Sequence, residues 1–436
     1  MVSNSSQSPG ARDVRRVLAA GTGLLGLAAA LAYAQSSTLS VQAQVGQKLF
    51  FDTNLSASKQ MACATCHDPT NHYAQSTTNT QPVQRGGPNL TAPGFRAVPT
   101  LTYKEYIPPY NDNATNPDGV SANAPGGGFT WDGRADTLAQ QVSIPLLSPF
   151  EMANASQAAV VTVVQNSSYA ALFQQAYGAD VFNDTSTAFT DIGLALQQYQ
   201  LEDSSFHPFT SKYDYATTLE LSNGLPVNLT AAENRGYDVY NYTGNCFACH
   251  YNGPMTGGGG ALFTDFTYQA LGVPRNPNIP ANATKIIVPS YYDLGLCTAL
   301  NPNPVNPYLI QHQVPYSASF CGMFKVPTLR NTATRNVYMH NGVFTSLVQV
   351  INFYNTRDTN PSAWYPTNSN GILQKYNDLP TAYQANVDDT DVPFGLTPGG
   401  TPFMTSQDTA DLLCFLETLT DGYVQGVTPQ DPNCIN

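Results

Sequence analysis

Charged side chains are scarce in this chain. Lysine, arginine, aspartate and glutamate supply only 11% of its 436 residues, and acidic groups outnumber basic ones to give a net charge of −12. An acidic chain with few cations is poorly suited to the phosphate backbone of nucleic acids, which argues against a nucleic-acid binder. The same charge permits a basic or weakly polar protein partner.

Long apolar runs are absent except at the N-terminus. Three arginines precede an apolar run over residues 17–31, and a small-x-small sequence that ends at Ala34 follows. This pattern is typical of a secretory signal peptide, so we predict that residues 1–34 are removed and that the mature protein lies outside the cytoplasm. An uncleaved anchor is the alternative, because the run is near the lower limit for spanning a bilayer.

Cysteine and histidine are also rare, with eight and six residues, yet the pattern Cys-x-x-Cys-His occurs twice. This pattern is typical of haem c attachment, in which two thiols add to the porphyrin vinyl groups and the histidine binds iron. A zinc site or a dithiol redox site would not require a histidine after the second cysteine both times. We therefore predict two covalently bound haem c groups. The attachment residues are Cys63, Cys66, Cys246 and Cys249, and the iron ligands are His67 and His250.

Four cysteines remain, namely Cys297, Cys321, Cys414 and Cys434. An even remainder in an exported protein predicts two disulfides. The simplest pairing joins Cys297 to Cys321 and Cys414 to Cys434, and the two other pairings stay open.

Helical patterns dominate the chain, and they predict a mainly α fold with two cytochrome c-like haem domains and long irregular loops. We expect helices at Val41–Phe51 and at 406–420, and a capping box of Thr230 and Glu233 that opens another. Residues 111–128 and 277–315 are rich in Pro, Gly and Asn and predict loops. The predicted domains are 35–225 and 226–436, one for each haem.

The chain resembles the bacterial dihaem cytochrome c peroxidases and their relative MauG over about residues 45–423. The matching runs occur in the family's order at 46–52, 131–138, 149–152, 325–331 and 338–342. The resemblance implies a periplasmic enzyme whose N-terminal haem reacts with peroxide and whose C-terminal haem relays electrons.

The resemblance also implies a set of catalytic residues around the N-terminal haem. Gln141, Pro145 and Glu151 reproduce the family's spacing for its peroxide-binding side. A carboxylate with a raised pKa can move a proton between the two peroxide oxygens, so Glu151 is the predicted acid and base, and Gln141 would hold peroxide by hydrogen bonds. Trp131 matches the tryptophan that lies between the two haems in relatives.

The second iron ligand of the C-terminal haem separates the subfamilies. The family's peroxidases have methionine at the position of Tyr354, and MauG has tyrosine, so Tyr354 is the predicted ligand. An anionic oxygen ligand favours oxidised iron, which predicts a low potential for this haem. Other ligands stay open: Met255, Met323, Met339 and His312.

Further positions match or depart from the family. Some peroxidases block the first haem with a loop histidine, and the equivalent residue here is Val83, which predicts an open first haem. The family's calcium site uses an asparagine where this chain has Ala97, so calcium is doubtful, although backbone and water ligands could remain. Arg134, Arg330 and His340 lie in matching runs, and we expect the arginines at haem propionates or domain contacts.

The leading hypothesis is a peroxidase that reduces hydrogen peroxide to water with electrons from a small cytochrome c or copper protein (a cupredoxin). A MauG-like enzyme that oxidises side chains of a partner protein is one alternative, and Tyr354 favours it. A dihaem electron carrier without enzymatic activity is another, and the spacing of Gln141, Pro145 and Glu151 argues against it. Relatives are often dimers, which leaves a homodimer open.

Overall fold

Helices carry most of the regular structure in the computed structural model, which describes residues 39–117, 122–217, 227–253, 259–283, 292–297 and 318–436. This confirms the mainly α class. The α-helices are α1 Val41–Phe51, α2 Cys63–Cys66, α3 Leu138–Leu147, α4 Gln157–Gln165, α5 Ala170–Tyr177, α6 Thr185–Glu202, α7 Lys212–Thr217, α8 Ala231–Asp238, α9 Pro280–Ala283, α10 Leu347–Thr356 and α11 Ser406–Glu417.

The strands are short and form three antiparallel pairs. The pairs are β1 Arg85–Gly86 with β2 Ala92–Pro93, β3 Asn111–Ala114 with β4 Ala124–Gly126, and β5 Tyr268–Gln269 with β6 Phe324–Lys325. The prediction of an irregular loop over 111–128 was wrong in part, since β3 and β4 form a hairpin there. Its glycine-rich end is held by Tyr268, whose hydroxyl donates to the Gly127 carbonyl at 2.6 Å.

In each half of the chain the first helix packs on a later helix, and a glycine allows the contact. In the first half α1 packs on α6, and a Cβ at Gly46 would lie 2.0 Å from the Ala195 carbonyl oxygen. In the second half α8 packs on α11, and a Cβ at Gly236 would lie 2.0 Å from the Asp411 carbonyl oxygen. Only glycine permits so close an approach of two helix backbones.

Local signals explain where several of these helices begin. Thr230 and Glu233 form the predicted capping box at the start of α8, with the Thr230 hydroxyl accepting from the Glu233 N–H at 3.2 Å. Helix α1 has the predicted bounds, and α11 begins at the predicted residue and ends three residues earlier.

Aromatic side chains fill the interior of both halves. Tyr73 and Phe206 stack at 3.9 Å between ring centroids in the first half, next to Phe50. A larger buried cluster in the second half includes Tyr240, Phe263 and Phe415. These rings surround the two segments that carry the Cys-x-x-Cys-His motifs.

The two predicted disulfides are present and join Cys297 to Cys321 and Cys414 to Cys434. Contacts group Ser40–Asn436 as one compact unit, and the division into domains at 225 and 226 stays a prediction. The predicted signal peptide lies outside the described residues. Within them, no helix combines the length and the apolar character needed to cross a bilayer.

Candidate active site

The first Cys-x-x-Cys-His motif forms a single helical turn. Helix α2 contains Cys63 and Cys66, and His67 follows with its N–H donating to the Cys63 carbonyl at 2.9 Å. Residues three apart lie on the same face of a helical turn, so both sulfurs can meet one edge of a planar group. Both thiols are free, and burial raises the pKa of each to about 12. A dithiol redox site needs a lowered thiol pKa, so this alternative is not supported.

The ring of His67 is prepared to bind a metal through Nε2. Its Nδ1 lies 3.1 Å from the Tyr73 carbonyl oxygen, which fixes the proton on Nδ1 and leaves the lone pair on Nε2. Burial lowers the pKa of His67 to about 4, so the ring is neutral at neutral pH. A neutral imidazole with its second nitrogen held by a carbonyl is the usual form of a histidine ligand.

The second motif repeats this arrangement. Cys246 begins a short 3₁₀ turn, and the N–H of His250 donates to its carbonyl at 2.9 Å. Nδ1 of His250 lies 3.1 Å from the Phe263 carbonyl oxygen, and burial lowers the pKa of His250 to about 4. Both motifs therefore offer two thiols and a neutral imidazole, which is the donor set that haem c requires.

The surroundings of the two motifs also repeat. The sequence Val-Pro-Thr-Leu occurs at 98–101 and at 326–329, and the backbone of its proline, Pro99 or Pro327, acts on the pKa of the histidine of the motif, His67 or His250. Helices α3 and α10 each follow an isolated β-bridge that begins nine residues earlier, at Phe129 and at Tyr338. Sequence reasoning missed this internal repeat, although it is visible in the printed sequence.

The repeat aligns Pro145 with Tyr354, because each is the eighth residue of its helix. In the first half this position has no atom that can bind a metal. In the second half it has a phenol oxygen. The same helix position therefore supplies a candidate ligand at the second motif and none at the first.

Tyr354 lies in the cavity of the second motif. It lines this cavity together with Cys246, Cys249 and His250, and both thiols raise the pKa of Tyr354 further after the larger effect of burial. The phenol forms no hydrogen bond with any residue that the structure describes, while its ring stacks on Phe394 at 5.5 Å. These contacts fit the predicted ligand.

The other candidate ligands are distributed differently. Met339 lines the cavity of the second motif, and Met404, which the sequence reasoning had not considered, does so as well. Met323 is absent from the described lining of this cavity. Met255 and His312 lie outside the described residues.

Glu151 is brought to the first motif by a tight turn after α3. The Glu151 N–H donates to the Ser148 carbonyl at 3.1 Å, and the Met152 N–H donates to the Pro145 carbonyl at 3.0 Å, so the chain folds back on the helix end. The negative charge of Glu151 raises the pKa of Cys66, which places the carboxylate near the first motif. Glu151 is solvent-accessible, yet desolvation raises its pKa despite a hydrogen bond from Ser148 and the charge of Arg134. A carboxylate with a raised pKa beside the first motif fits the predicted acid and base.

Gln141 and Pro145 lie one turn apart on α3 and therefore share a face. Proline has no N–H to donate, so the helical hydrogen bond to the Gln141 carbonyl is missing. The Gln141 side chain is half-buried and forms no hydrogen bond with the described part of the chain. Its amide therefore has no partner among the described residues.

A glycine pair holds the neighbouring loop against this turn. The Gly87 N–H donates to the Glu151 carbonyl at 2.8 Å, and a Cβ at Gly86 would lie 2.3 Å from the Phe150 carbonyl oxygen. Val83, at the position of the blocking histidine of some relatives, is buried with 3% of its surface exposed. This loop therefore supplies no ligand from that position.

Trp131 connects the first half to the second. Its indole N–H donates to the Ala97 carbonyl at 2.9 Å, and its own carbonyl accepts from the Lys325 N–H at 2.9 Å. The side chain also lines the cavity of the second motif. Trp131 is thus in contact with segments that belong to both sites.

Arg134 and Arg330 both have carboxylate partners. Arg134 pairs with Asp132, and Arg330 binds Asp214 with both terminal nitrogens at 2.9 and 2.6 Å. Arg330 also lines the cavity of the second motif. Asp214 already balances the charge of Arg330. A role in stabilising the fold is therefore more favourable for Arg330 than the expected contact with a haem propionate.

His340 has a similar fixed position. Its Nε2 lies 3.2 Å from Asp378 Oδ2, its ring stacks on Phe324 at 3.6 Å, and its carbonyl accepts from the Ala97 N–H at 2.7 Å. The residue lines the cavity of the second motif. These contacts position His340 rather than leaving its ring free to bind iron.

The position expected for calcium does not fit that ion. Ala97 has no side-chain oxygen, and its carbonyl is used by Trp131. The adjacent Arg96 contacts Asp132 at 2.8 Å and Asp293 at 2.6 Å, so a guanidinium already bridges these carboxylates. A cation in this place would compete with a fixed positive charge.

Comparison with known proteins shows the class to which this site belongs. The chain belongs to the dihaem cytochrome c peroxidase and MauG family, whose "Di-haem cytochrome c peroxidase" profile matches residues 40–220. Proteins of this family are peroxide-using oxidoreductases with two haems, and this chain is therefore an enzyme of that class.

Two relatives and one solved structure illustrate the similarity. The methylamine utilization protein MauG of Paracoccus denitrificans is 35% identical over 72% of this chain and 74% of its own length. The cytochrome-c peroxidase IdrP2 of Denitromonas iodatirespirans is 26% identical over 76% and 78%. The crystal structure of the diheme peroxidase BthA from Burkholderia thailandensis is 35% identical, with a TM-score of 0.72 over 87% of this chain and 86% of that one.

Proposed function

We propose that the protein is a dihaem c-type peroxidase that reduces hydrogen peroxide to water. One haem would be attached to Cys63 and Cys66 with His67 as iron ligand, and it would react with peroxide. The other would be attached to Cys246 and Cys249, with His250 and Tyr354 as the residues that would hold its iron. The observation that supports this best is the accessible, desolvated carboxylate of Glu151 beside the first motif.

Glu151 has the properties of a group that accepts and returns a proton. When bound, haem supplies the electrons for cleavage of the peroxide O–O bond. The carboxylate would take the proton from one peroxide oxygen and deliver it to the other, which leaves as water. The raised pKa brings Glu151 closer to neutrality, where a group can both accept and release a proton efficiently.

Gln141 and Pro145 would act beside Glu151 at the first haem. The Gln141 amide can donate to or accept from a peroxide oxygen, because no described residue engages it. Pro145 occupies the helix position that holds Tyr354 in the other half, and it offers no ligand. At the first haem this helix position would therefore leave room for substrate and supply no side-chain ligand.

Electrons would reach the first site from the second by way of Trp131, whose contacts with both halves support this role. The overall reaction joins hydrogen peroxide, two electrons and two protons to give two waters. A small cytochrome c or cupredoxin would donate the electrons, and the predicted signal peptide supports a periplasmic location.

Replacement of one glutamate tests the proposal. In Glu151→Gln the second-order rate constant for reaction with peroxide should fall by about 10²–10⁴-fold, because the amide cannot accept the proton. Stopped-flow absorbance in the haem Soret band measures this constant. Glu202→Gln is the matched control, since Glu202 caps the chain near Ser40, 2.7 Å from its N–H. An unchanged rate constant in Glu151→Gln would exclude Glu151 as the acid and base.

Tyr354 favours a second candidate function. With tyrosine as ligand, as in the resemblance to MauG, the two haems could use peroxide to oxidise side chains of a partner protein. The two functions differ in their reductant. Peroxide consumption that needs a reduced cytochrome c or cupredoxin supports the peroxidase, whereas consumption coupled to oxidised residues in a co-purified protein, seen by mass spectrometry, supports the alternative. A protein indifferent to peroxide would be an electron carrier.

A further inference from the structure

Besides Arg330, three cations line the cavity of the second motif, which Trp131 also lines. They are Lys104, which begins a short 3₁₀ turn, Lys325 in β6, and Arg335 after the Val-Pro-Thr-Leu segment of the second half. They come from three separate segments of the chain. Their sequence positions gave no sign that they would meet.

None of the three is paired with a carboxylate among the described residues. The Lys325 ammonium donates to the Gly128 carbonyl and lies 5.9 Å from the centre of the Phe129 ring. Arg335 donates to the carbonyl groups of Val98 at 2.8 Å and Val337 at 3.3 Å. Lys104 has no side-chain hydrogen bond or ion pair within the described segments. All of these partners are neutral.

Two other buried cations of the described chain do have acidic partners. Lys212 pairs with Glu233 at 2.7 Å, and Arg330, in the same cavity wall, pairs with Asp214 at 2.6 Å. Buried cations are costly unless an anion offsets the loss of hydration. Desolvation, together with repulsion from a neighbouring cation, lowers the pKa of Lys104 to about 8 and that of Lys325 well below its usual value, against smaller opposite effects of Glu105 and Asp132.

Two of the cations also border the first site. The charges of Lys104 and Arg335 lower the pKa of His67, after the larger effect of burial. Both residues also line the cavity that contains His250. They therefore lie between the two histidine sites and can act on groups bound at either one.

We propose that Lys104, Lys325 and Arg335 bind the propionate carboxylates of the two haems and form a cationic contact shared by both sites. Haem is the anion-bearing ligand expected here, since each haem has two propionates and each motif attaches one haem. This inference rests on haem attachment at both motifs. Because a nearby positive charge stabilises the reduced, less positive iron centre, the three residues raise the reduction potentials of the haems.

Charge substitutions at Lys104 test the proposal in the haem-loaded protein. In Lys104→Gln the midpoint potentials of both haems should move to lower values, and in Lys104→Arg they should stay close to those of the unsubstituted protein. Arg335→Gln should also lower both potentials. Spectroelectrochemical titration measures the potentials, and resonance Raman spectra report the propionate bending modes. Lys48→Gln, on the exposed side of α1, removes the same charge elsewhere and should change neither.

The outcomes separate the possible roles of these residues. Unchanged potentials and propionate modes in Lys104→Gln would overturn the proposal, and a shift confined to one haem would overturn the shared contact. If Lys104 only stabilises the fold, Lys104→Arg and Lys104→Gln should both alter thermal unfolding. The midpoint potentials should then not depend on whether the substitution keeps the positive charge. The effect of Glu151→Gln is read from the rate constant with peroxide, and the effect of Lys104→Gln is read from potentials and propionate modes without peroxide, so failure of this inference is distinguishable from failure of the peroxidase function.

Discussion

Tyr354→Phe is the substitution that most directly tests the second haem site. It removes one oxygen and keeps the ring, whose stacking on Phe394 at 5.5 Å and contact with Phe353 at 6.2 Å do not involve that oxygen. The phenol forms no hydrogen bond with a described residue. The loss of unfolding free energy expected from protein contacts is therefore below about 0.5 kcal/mol.

The effect on the haem should be large by comparison. If Tyr354 is the ligand, its loss changes the coordination of the second iron, and removal of an anionic oxygen raises the midpoint potential of that haem. Electron paramagnetic resonance of the ferric protein should then show a changed signal for the second haem and an unchanged signal for the first. Spectroelectrochemical titration should show the rise in potential.

A second tyrosine provides the matched control. The hydroxyl of Tyr365, a residue with 3% of its surface exposed, donates to the Gly272 carbonyl. Tyr365→Phe leaves that carbonyl without its partner and should cost about 1–3 kcal/mol of unfolding free energy while the haem spectra stay the same. The reasoning is refuted if Tyr354→Phe leaves both the spectrum and the potential of the second haem unchanged.

Two further predictions concern pH and the disulfides. Desolvation raises the pKa of Glu151, and its ionised form accepts the proton. The rate constant with peroxide should therefore rise with pH through a midpoint above the ordinary 4.5. Stopped-flow profiles that keep this midpoint in Glu151→Gln would contradict the assignment of Glu151 as the acid and base. The Cys414–Cys434 disulfide closes a loop with a sequence separation of 20 residues. The variant with both cysteines replaced by alanine should therefore lose about 3 kcal/mol of unfolding free energy, measured by chemical denaturation. A loss below about 1 kcal/mol would show that other contacts restrain the loop.

Much of the fold could be predicted because its signals are local. The capping box of Thr230 and Glu233 and the helical pattern of Val41–Phe51 depend on residues within a few turns of each other, and helices occur at both places. The pairing of β3 with β4 was missed, because Pro, Gly and Asn are typical of loops, and Gly126 also forms a bridge with the distant Thr267 that composition does not indicate.

The candidate site also has parts that the sequence predicts and a part that only the structure shows. The attachment motifs are contiguous, so their chemistry can be recognised without a fold, and Gln141, Pro145 and Glu151 lie on one helix and the turn after it. The alignment of Pro145 with Tyr354 was also within reach of the sequence, through the repeat of the two halves. The turn that places Glu151 beside Cys66 required the structure.

The two attachment motifs and the mainly α class follow from the sequence, since each depends on the identity and spacing of neighbouring residues, whereas the structure selected one of the three possible disulfide pairings. The tertiary structure alone decided which cations meet. Arg330, which lies in a recognisable run, is neutralised by Asp214, whereas Lys104, Lys325 and Arg335 converge on one cavity without acidic partners. The physical reason is that charge balance depends on distance in space, and these three residues are separated by up to 231 positions in the chain.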